Sequence, residues 1–424
     1  MYNLLFATEQ GEVLDYPALS MTGRLGDQWV EPLEEELIPL PEGASLTMVP
    51  GRFPLGINPS SGDFELLSTN PYTAKEEKIW AVAALLPQGY TRTLLPGFVT
   101  SKKADMLPLF GYTAVGSKDG KFFVAAVKTD EDDHWNPRHY NTAHLEKLVK
   151  KKLEKYRGNR IYDQLAKCSL EYSCFTAQNI FYGRWEGGLP SSPVCNANCL
   201  GCISLQPAEC CPSPQNRISF IPEVKEMVEV ALNHLQTPDA IISFGQGCEG
   251  EPALQADRLA QVISQVRNFT SLGTININTN AGYYEGIKKI VDAGLDTMRV
   301  SLISPRPSIY NVYYRPKGYS LEQVNASLKY AAAKGVYTSL NLLTFPGVTD
   351  REEEVEALLK FVTENQVKLI QIRNLNIDPD VYLKAIPPAE GEALGITKFL
   401  EILKEELPGV EIGNYSRPKP VISR

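Results

Sequence analysis

Hydrophobic and polar positions change rhythm twice along the chain. Up to about residue 135, short apolar runs alternate with glycine and proline. Leu46-Thr-Met-Val, Gly111-Tyr-Thr-Ala-Val and Lys121-Phe-Phe-Val-Ala-Ala-Val read as strands, and Ser117-Lys-Asp-Gly120 between the last two as a hairpin turn. One helix is expected near Ala74 to Leu86, so residues 1–135 form an N-terminal β-rich domain. Residues 136–189 form a connector. In it Leu145, Leu148, Leu153 and Tyr156 recur at roughly helical spacing, and Cys168, Cys174 and the aromatic stretch Phe181 to Trp185 follow.

From about residue 190 the pattern becomes strand, helix, strand, helix. Apolar strands are expected at Ala240 to Phe244, Thr274 to Asn278, Met298 to Ile303, Thr338 to Leu343 and Leu369 to Arg373. That spacing suits βα units with a parallel sheet. Between them, Val224, Met227, Val228, Ala231, Leu232 and Leu235 share one helical face over Pro222 to Leu235, with Pro222 suited to the first turn. A strand before Cys195 makes about six units, where a full eight-unit barrel takes about 250 residues. The fold class is therefore α/β: a partial (β/α)6 TIM-like barrel over 190–377, with the β-rich domain before it and a short C-terminal extension. That extension, 378–424, holds a helix near Gly391 to Glu406 and a strand near Val410-Glu-Ile-Gly.

Composition narrows the function classes. The chain has 424 residues, is 43% hydrophobic and 22% charged, and carries a net charge of −8, so nothing draws it generally toward nucleic acid. The basic run Lys147 to Arg157 reads as a solvated helix face rather than a nucleic-acid patch. No basic start followed by a long apolar run opens the sequence, and no stretch reaches the ~18 apolar residues of a membrane span. A cytoplasmic location is expected, where the eight cysteines serve as thiols or metal ligands rather than disulfides.

The chemistry gathers at Pro193-Val-Cys195-Asn-Ala-Asn-Cys199-Leu-Gly-Cys202, a C-x3-C-x2-C pattern with no fourth cysteine. Three thiolates can hold three corners of a cubane iron–sulfur cluster and leave one iron open. The alternatives are a structural zinc site with a distant fourth ligand, or a plain electron-transfer cluster. The loop precedes the first helix of the βα array, on the side where such barrels carry catalytic loops. Directly after the second strand comes Gly245-Gln-Gly247-Cys248-Glu249-Gly250-Glu251-Pro252, with glycines that admit a close ligand and a carboxylate that can accept from an ammonium group. Cys168, Cys174, Cys210 and Cys211 could supply an auxiliary cluster or simply be buried thiols, while Cys248 reads as a packing or substrate-facing thiol. Asp133 to Tyr140, with two histidines, reads as a polar interdomain turn. Tyr310, Tyr313, Tyr314 and Tyr319 either stack on a substrate or pack a loop, and Asp292 and Asp296 read as helix-end and loop residues.

Together these motifs resemble the radical S-adenosylmethionine (SAM) superfamily. The cysteine loop is similar to its cluster loop, and Gly250-Glu251-Pro252 to its Gly-Gly-Glu motif. Asn278-Thr-Asn280, Val300 to Ser304 and Asn341 to Gly347 resemble its third, fourth and fifth strands. The resemblance covers about 190–375 and names no subfamily. It implies that Cys195, Cys199 and Cys202 ligate a [4Fe-4S] cluster whose open iron is chelated by the methionyl group of SAM. It implies that Gly250 and Glu251 hold the amino group, and that Ser301 and Arg315 approach the carboxylate or ribose. Asn280 and Asn341 would add polar contacts, and Gln371 to Asn374 would lie near adenine or substrate. Reductive cleavage of SAM would give a 5′-deoxyadenosyl radical that takes hydrogen from an unidentified substrate, with a reductant such as flavodoxin or ferredoxin supplying the electron. The alternative is an iron–sulfur or electron-transfer protein with a barrel fold and no SAM chemistry. Two departures stand out: Gly201 replaces the aromatic residue usual before the third cysteine, and Glu249 replaces the first glycine of the pair.

Overall fold

A computed structural model describes residues 1–73, 76–107, 109–131, 133–205 and 215–419. The chain divides into two compact units. One comprises residues 1–131, 344–356 and 372–406, and the other 132–343, 357–371 and 407–424.

The first unit is built on antiparallel strands. Asn3–Thr8 pairs with Val13–Met21 and with Ile79–Leu85, and Ile79–Leu85 pairs in turn with Ser45–Val49. The segment expected to be a helix near Ala74 to Leu86 is thus a central strand (Ala74 and Lys75 lie outside the described residues). Alanine favours helices, but both faces of this segment are buried. Ala81 and Ala83 pack with Val49, Phe98 and Phe110, whereas Val82, Ala84 and Leu86 pack with Leu5, Val115 and Val124. Two-sided burial suits a strand flanked by strands, and tertiary packing overrides propensity. The expected hairpin is present. Lys118 pairs with Lys121 across Asp119 and Gly120, both at positive φ, as a two-residue type I′ turn requires.

Two buried arginines bind the distant parts of this unit together. Arg52 donates to the Asp378 carboxylate at 2.9 Å and to the carbonyls of Pro50 and Asp105. Arg92 is fully buried, donates to the carbonyls of Phe110, Tyr112 and Leu375, and lies over the Phe345 ring. Burial alone holds its guanidinium below the usual range, at about 9.

The second unit opens with three helices, Leu145–Lys155, Arg160–Leu170 and Phe175–Tyr182. Asn159 caps the second by accepting from the Ile161 N–H, and Gly183 ends the third in the left-handed conformation. The run read as a connector is therefore largely helical. Seven strands follow: β1 (Glu186–Gly188), β2 (Ile241–Phe244), β3 (Thr274–Thr279), β4 (Thr297–Leu302), β5 (Tyr337–Thr344), β6 (Leu369–Asn374) and β7 (Glu411–Gly413). They form one sheet in sequential order, open at β1 and β7. The expected open parallel half-barrel is present, with the C-terminal tail strand as its seventh member. Two helix boundaries differ from the sequence reading. The helix after β1 runs Val224–His234 with Glu223 as N-cap, so Pro222 lies outside its first turn. The late helix starts at Ile396 rather than Gly391, because Gly391 and Gly395 spend their N–H groups on the carboxylates of Glu353 and Asp350.

Alternation along β3 to β6 separates two faces of the sheet. Ile275, Ile277, Met298, Val300, Leu302, Leu340, Leu342 and Ile370 are buried on one. The other carries Asn276, Asn278, Arg299, Ser301, Ser339, Asn341 and Gln371. Toward the strand starts these polar groups satisfy one another. Glu186 accepts from Arg299 and from the Ser243 hydroxyl, and Asn276 donates to Ser243 and accepts from Thr297. Toward the strand ends Asn278, Ser301 and Asn341 are only half-buried. Among the described residues no helix is long and apolar enough to cross a membrane.

Replacing Arg52 with Met leaves the Asp378 carboxylate buried without its counter-ion. Equilibrium denaturation should show a loss of about 3–5 kcal/mol from the transition of the first unit.

Candidate active site

The cysteine loop takes no regular secondary structure. Its shape comes from contacts on two sides. On one side it pairs with the turn after β2: the Gly250 N–H donates to the Ser192 carbonyl at 2.7 Å, and the Glu251 N–H to the Val194 carbonyl at 2.8 Å. A Cβ on Gly250 would lie 2.0 Å from the Val194 oxygen, so this approach requires glycine. Gly245, at φ +82, meets the same constraint, since its Cβ would fall 1.8 Å from the Asn278 carbonyl oxygen. On the other side the loop meets the end of the helix Pro307–Tyr314. Asn198 and Leu200 donate to the carbonyls of Tyr314 and Tyr313, and the Lys317 N–H donates to the Asn196 carbonyl.

Glu249 holds this junction. Its carboxylate is buried and accepts five hydrogen bonds. Oε2 takes the Ser191 N–H at 2.7 Å, the Ser191 hydroxyl at 2.8 Å and the Ser192 N–H at 2.9 Å, and Oε1 takes the N–H groups of Gly245 and Gln246. Burial pushes its carboxyl up to about 7 against the pull of these donors. The departure from the expected glycine thus has a structural purpose that the motif alone does not reveal. The only signal in the sequence is a charged residue in a position reserved for a small one.

Cys195, Cys199 and Cys202 are free thiols, each half-buried. Burial raises Cys199 far above the usual thiol range, with Cys202 and Cys195 adding to the effect. Burial also raises Cys195, helped by the neighbouring Glu251 carboxylate. Arg217 approaches the Cys202 sulfur at 3.7 Å and donates to the Ser204 hydroxyl at 3.1 Å. The tyrosines pack against this loop. The Tyr310 and Tyr314 rings lie 4.6 Å apart, and the Tyr314 hydroxyl is buried beside Cys199 without a hydrogen-bond partner. Among the described residues no three metal-ligating side chains close around a single ion position, and the three cysteines stand along one open loop. The donor set fits an iron–sulfur group. Three thiols on one short loop supply soft ligands, the Arg217 guanidinium can donate to a sulfur, and the buried Tyr314 hydroxyl without a hydrogen-bond partner adds a polar group nearby.

Glu251 is buried, and its carboxylate accepts from the Thr279 hydroxyl, the Asn280 N–H at 2.8 Å and the Ala253 N–H at 3.0 Å. Burial raises its carboxyl, and these donors oppose the rise. The Asn280 side chain donates to Asn196 inside the cysteine loop at 2.7 Å. Gly250, Glu251, Asn280 and the cysteines therefore meet. Ser301 and Asn341 are register partners on β4 and β5, on the polar face. Arg315 is exposed and takes the left-handed conformation, capping its helix through its backbone. Asn374 is held within the first unit: its amide pairs with the Arg92 N–H and the Tyr90 carbonyl. In the turn from Asp133 to Tyr140, Asp133 accepts from Arg138 and His139 at the surface, while Trp135 and Tyr140 are buried with Tyr415. Cys168 and Cys248 are buried thiols, while Cys210 and Cys211 fall outside the described residues.

Residues 189–362 match the family model of the Radical SAM superfamily. Three solved structures are similar. Methylornithine synthase PylB is 15% identical, over 62% of this chain and 78% of that one, with TM-score 0.38. The FeFe-hydrogenase maturase HydG from Carboxydothermus hydrogenoformans is 14% identical, over 66% of each chain, with TM-score 0.37. Native anSMEcpe with bound AdoMet is 17% identical, over 44% of this chain and 50% of that one, with TM-score 0.35. Among curated proteins none matches the chain. Residues 189–362 carry a radical SAM domain, and members of that superfamily are enzymes that use a [4Fe-4S] cluster and S-adenosylmethionine.

Proposed function

We propose that Cys195, Cys199 and Cys202 hold the cluster, that the turn at Gly250-Glu251 receives SAM, and that a substrate meets it over the half-buried polar ends of β3 to β5. The observation that carries this reading is the direct pairing of the cysteine loop with the Gly250-Glu251 turn, which places Cys195 beside a buried carboxylate. When bound, the cluster and SAM supply a 5′-deoxyadenosyl radical that takes a hydrogen atom from substrate. The chain's own residues bind and orient. The Glu251 carboxylate accepts from the methionyl ammonium, as a buried carboxylate favours a cationic partner. Ser301 and Asn341 offer a hydroxyl and an amide toward the methionyl carboxylate or ribose, and Asn280 fixes the cysteine loop through Asn196. Arg315 reaches the carboxylate only by folding back from solvent. Packing by Tyr310, Tyr313 and Tyr314 keeps water from the loop, which a reactive radical requires.

Replacing Cys199 with Ala should remove both the iron and the reductive cleavage of SAM. Iron analysis of the anaerobically reconstituted protein, with chromatography of 5′-deoxyadenosine after reduction, checks both, and retained cleavage contradicts the ligand assignment. Glu251→Gln should keep its iron while SAM affinity falls at least about tenfold, the loss of one charge-assisted hydrogen bond of about 1.5–3 kcal/mol. The SAM-induced change in the EPR spectrum of the reduced cluster reports it, and unchanged affinity rejects the role given to Glu251. Glu249→Leu leaves four backbone N–H groups and a hydroxyl unpaired at about 1–3 kcal/mol for each buried donor. It should lower the melting temperature and cause loss of iron on desalting, and a variant with full iron content rejects Glu249 as the tie.

A further inference from the structure

The chain returns past the cysteine loop on its way to the helix Val224–His234. The Ile218 N–H donates to the Cys248 carbonyl at 2.8 Å, and a Cβ on Gly247 would lie 2.6 Å from the Gln215 side-chain oxygen. Residues 215–218 thus run against the turn after β2. Arg217 lies among them, half-buried, and the groups it meets all belong to the second unit. Its Nε donates to the Ser204 hydroxyl at 3.1 Å, and its Nη2 donates to the Cys202 sulfur at 3.7 Å. Ser204 is 5% exposed. Its hydroxyl donates to the Glu249 carbonyl at 3.3 Å and lies 3.7 Å from the Cys202 sulfur. With its one proton on that carbonyl, the hydroxyl turns its lone pairs to the guanidinium. The planar fork is oriented through Nε, and Nη2 is left on the sulfur.

We propose that Arg217 is a positioning residue that raises the reduction potential of the iron–sulfur cluster through Cys202, and so eases its one-electron reduction. This role rests on Cys202 being a cluster ligand. A guanidinium pairs best with an oxyanion, and a thiol is a weak acceptor. Among the described residues Arg217 forms an ion pair with no carboxylate, and its Nη2 is set instead on a sulfur. The contact becomes a charge-assisted hydrogen bond once that sulfur is an anionic ligand. Net charge and hydrogen bonds to the sulfurs set the potential of such clusters. On reduction a low-potential flavin or iron–sulfur donor gives up one electron, and the cluster gains it with one unit of negative charge. No bond breaks and no proton moves. A fixed cation beside one ligand favours the more negative state, and half-burial limits its screening by water.

Potentiometry followed by EPR, on anaerobically reconstituted protein without SAM, tests it. In Arg217→Gln the ratio of reduced to oxidised cluster at a fixed potential should fall about tenfold, a midpoint lower by about 59 mV for one electron. Arg217→Lys restores the charge and should lie closer to wild type. Full iron content in Arg217→Gln with an unchanged or higher midpoint overturns the role, since an arginine that only braced the loop would leave the potential in place. A second measurement does not depend on that variant. With arginine isotopically labelled at its guanidino nitrogens, pulsed EPR of the reduced wild-type cluster should show a nitrogen coupling that is absent from Arg217→Lys. A wild-type spectrum without the coupling overturns the contact. Wild type that takes up no iron removes the ligand assignment and this role together, whereas iron-loaded wild type with either negative result removes this role alone.

Discussion

The site depends on one buried carboxylate. A buried charge with no cation beside it is costly unless hydrogen bonds replace its water. Glu249 has five donors, drawn from two chain segments that lie far apart in the sequence. The segment after β1 supplies Ser191 and Ser192, and the turn after β2 supplies Gly245 and Gln246. Each segment alone would leave N–H groups unpaired in the interior. Joined by the carboxylate, they present the cysteine loop and the Gly250-Glu251 turn at a fixed spacing.

Around this tie the sheet departs from the usual economy of parallel sheets, which are buried and apolar on both faces. Here only one face is apolar. The other carries a layer of amides, hydroxyls and an ion pair. At the strand starts these groups pair internally through Glu186, Arg299, Ser243 and Asn276. At the strand ends they remain partly open. The same alternation therefore provides a closed floor and an accessible mouth on one surface, with the reactive loops at the open end.

Much of this was legible in the sequence. The strands from β2 to β6 follow from apolar runs at βα spacing, and the cysteine loop and Gly250-Glu251 stand out because their residue types are chemically constrained. Elsewhere local pattern misleads. Trp80-Ala-Val-Ala-Ala reads as helix because propensity is local, yet its strand is fixed by partners at residues 3–8 and 45–49. Glu249 reads as an imperfection because three of its five donors come from Ser191 and Ser192, more than fifty residues away in the chain. The bonds of Asn374 to Tyr90 and Arg92 are illegible for the same reason.

The cysteine loop is bonded to the turn after β2 on one side and to the helix end after β4 on the other. It thereby crosses above β3, to which Asn196 and Asn280 also fasten it. Three successive βα connections share one stretch of chain as their common brace. None of the three can leave this brace without breaking hydrogen bonds to it. At this end of the sheet the cysteine loop is the one element that all three connections hold, so its release would free each of them.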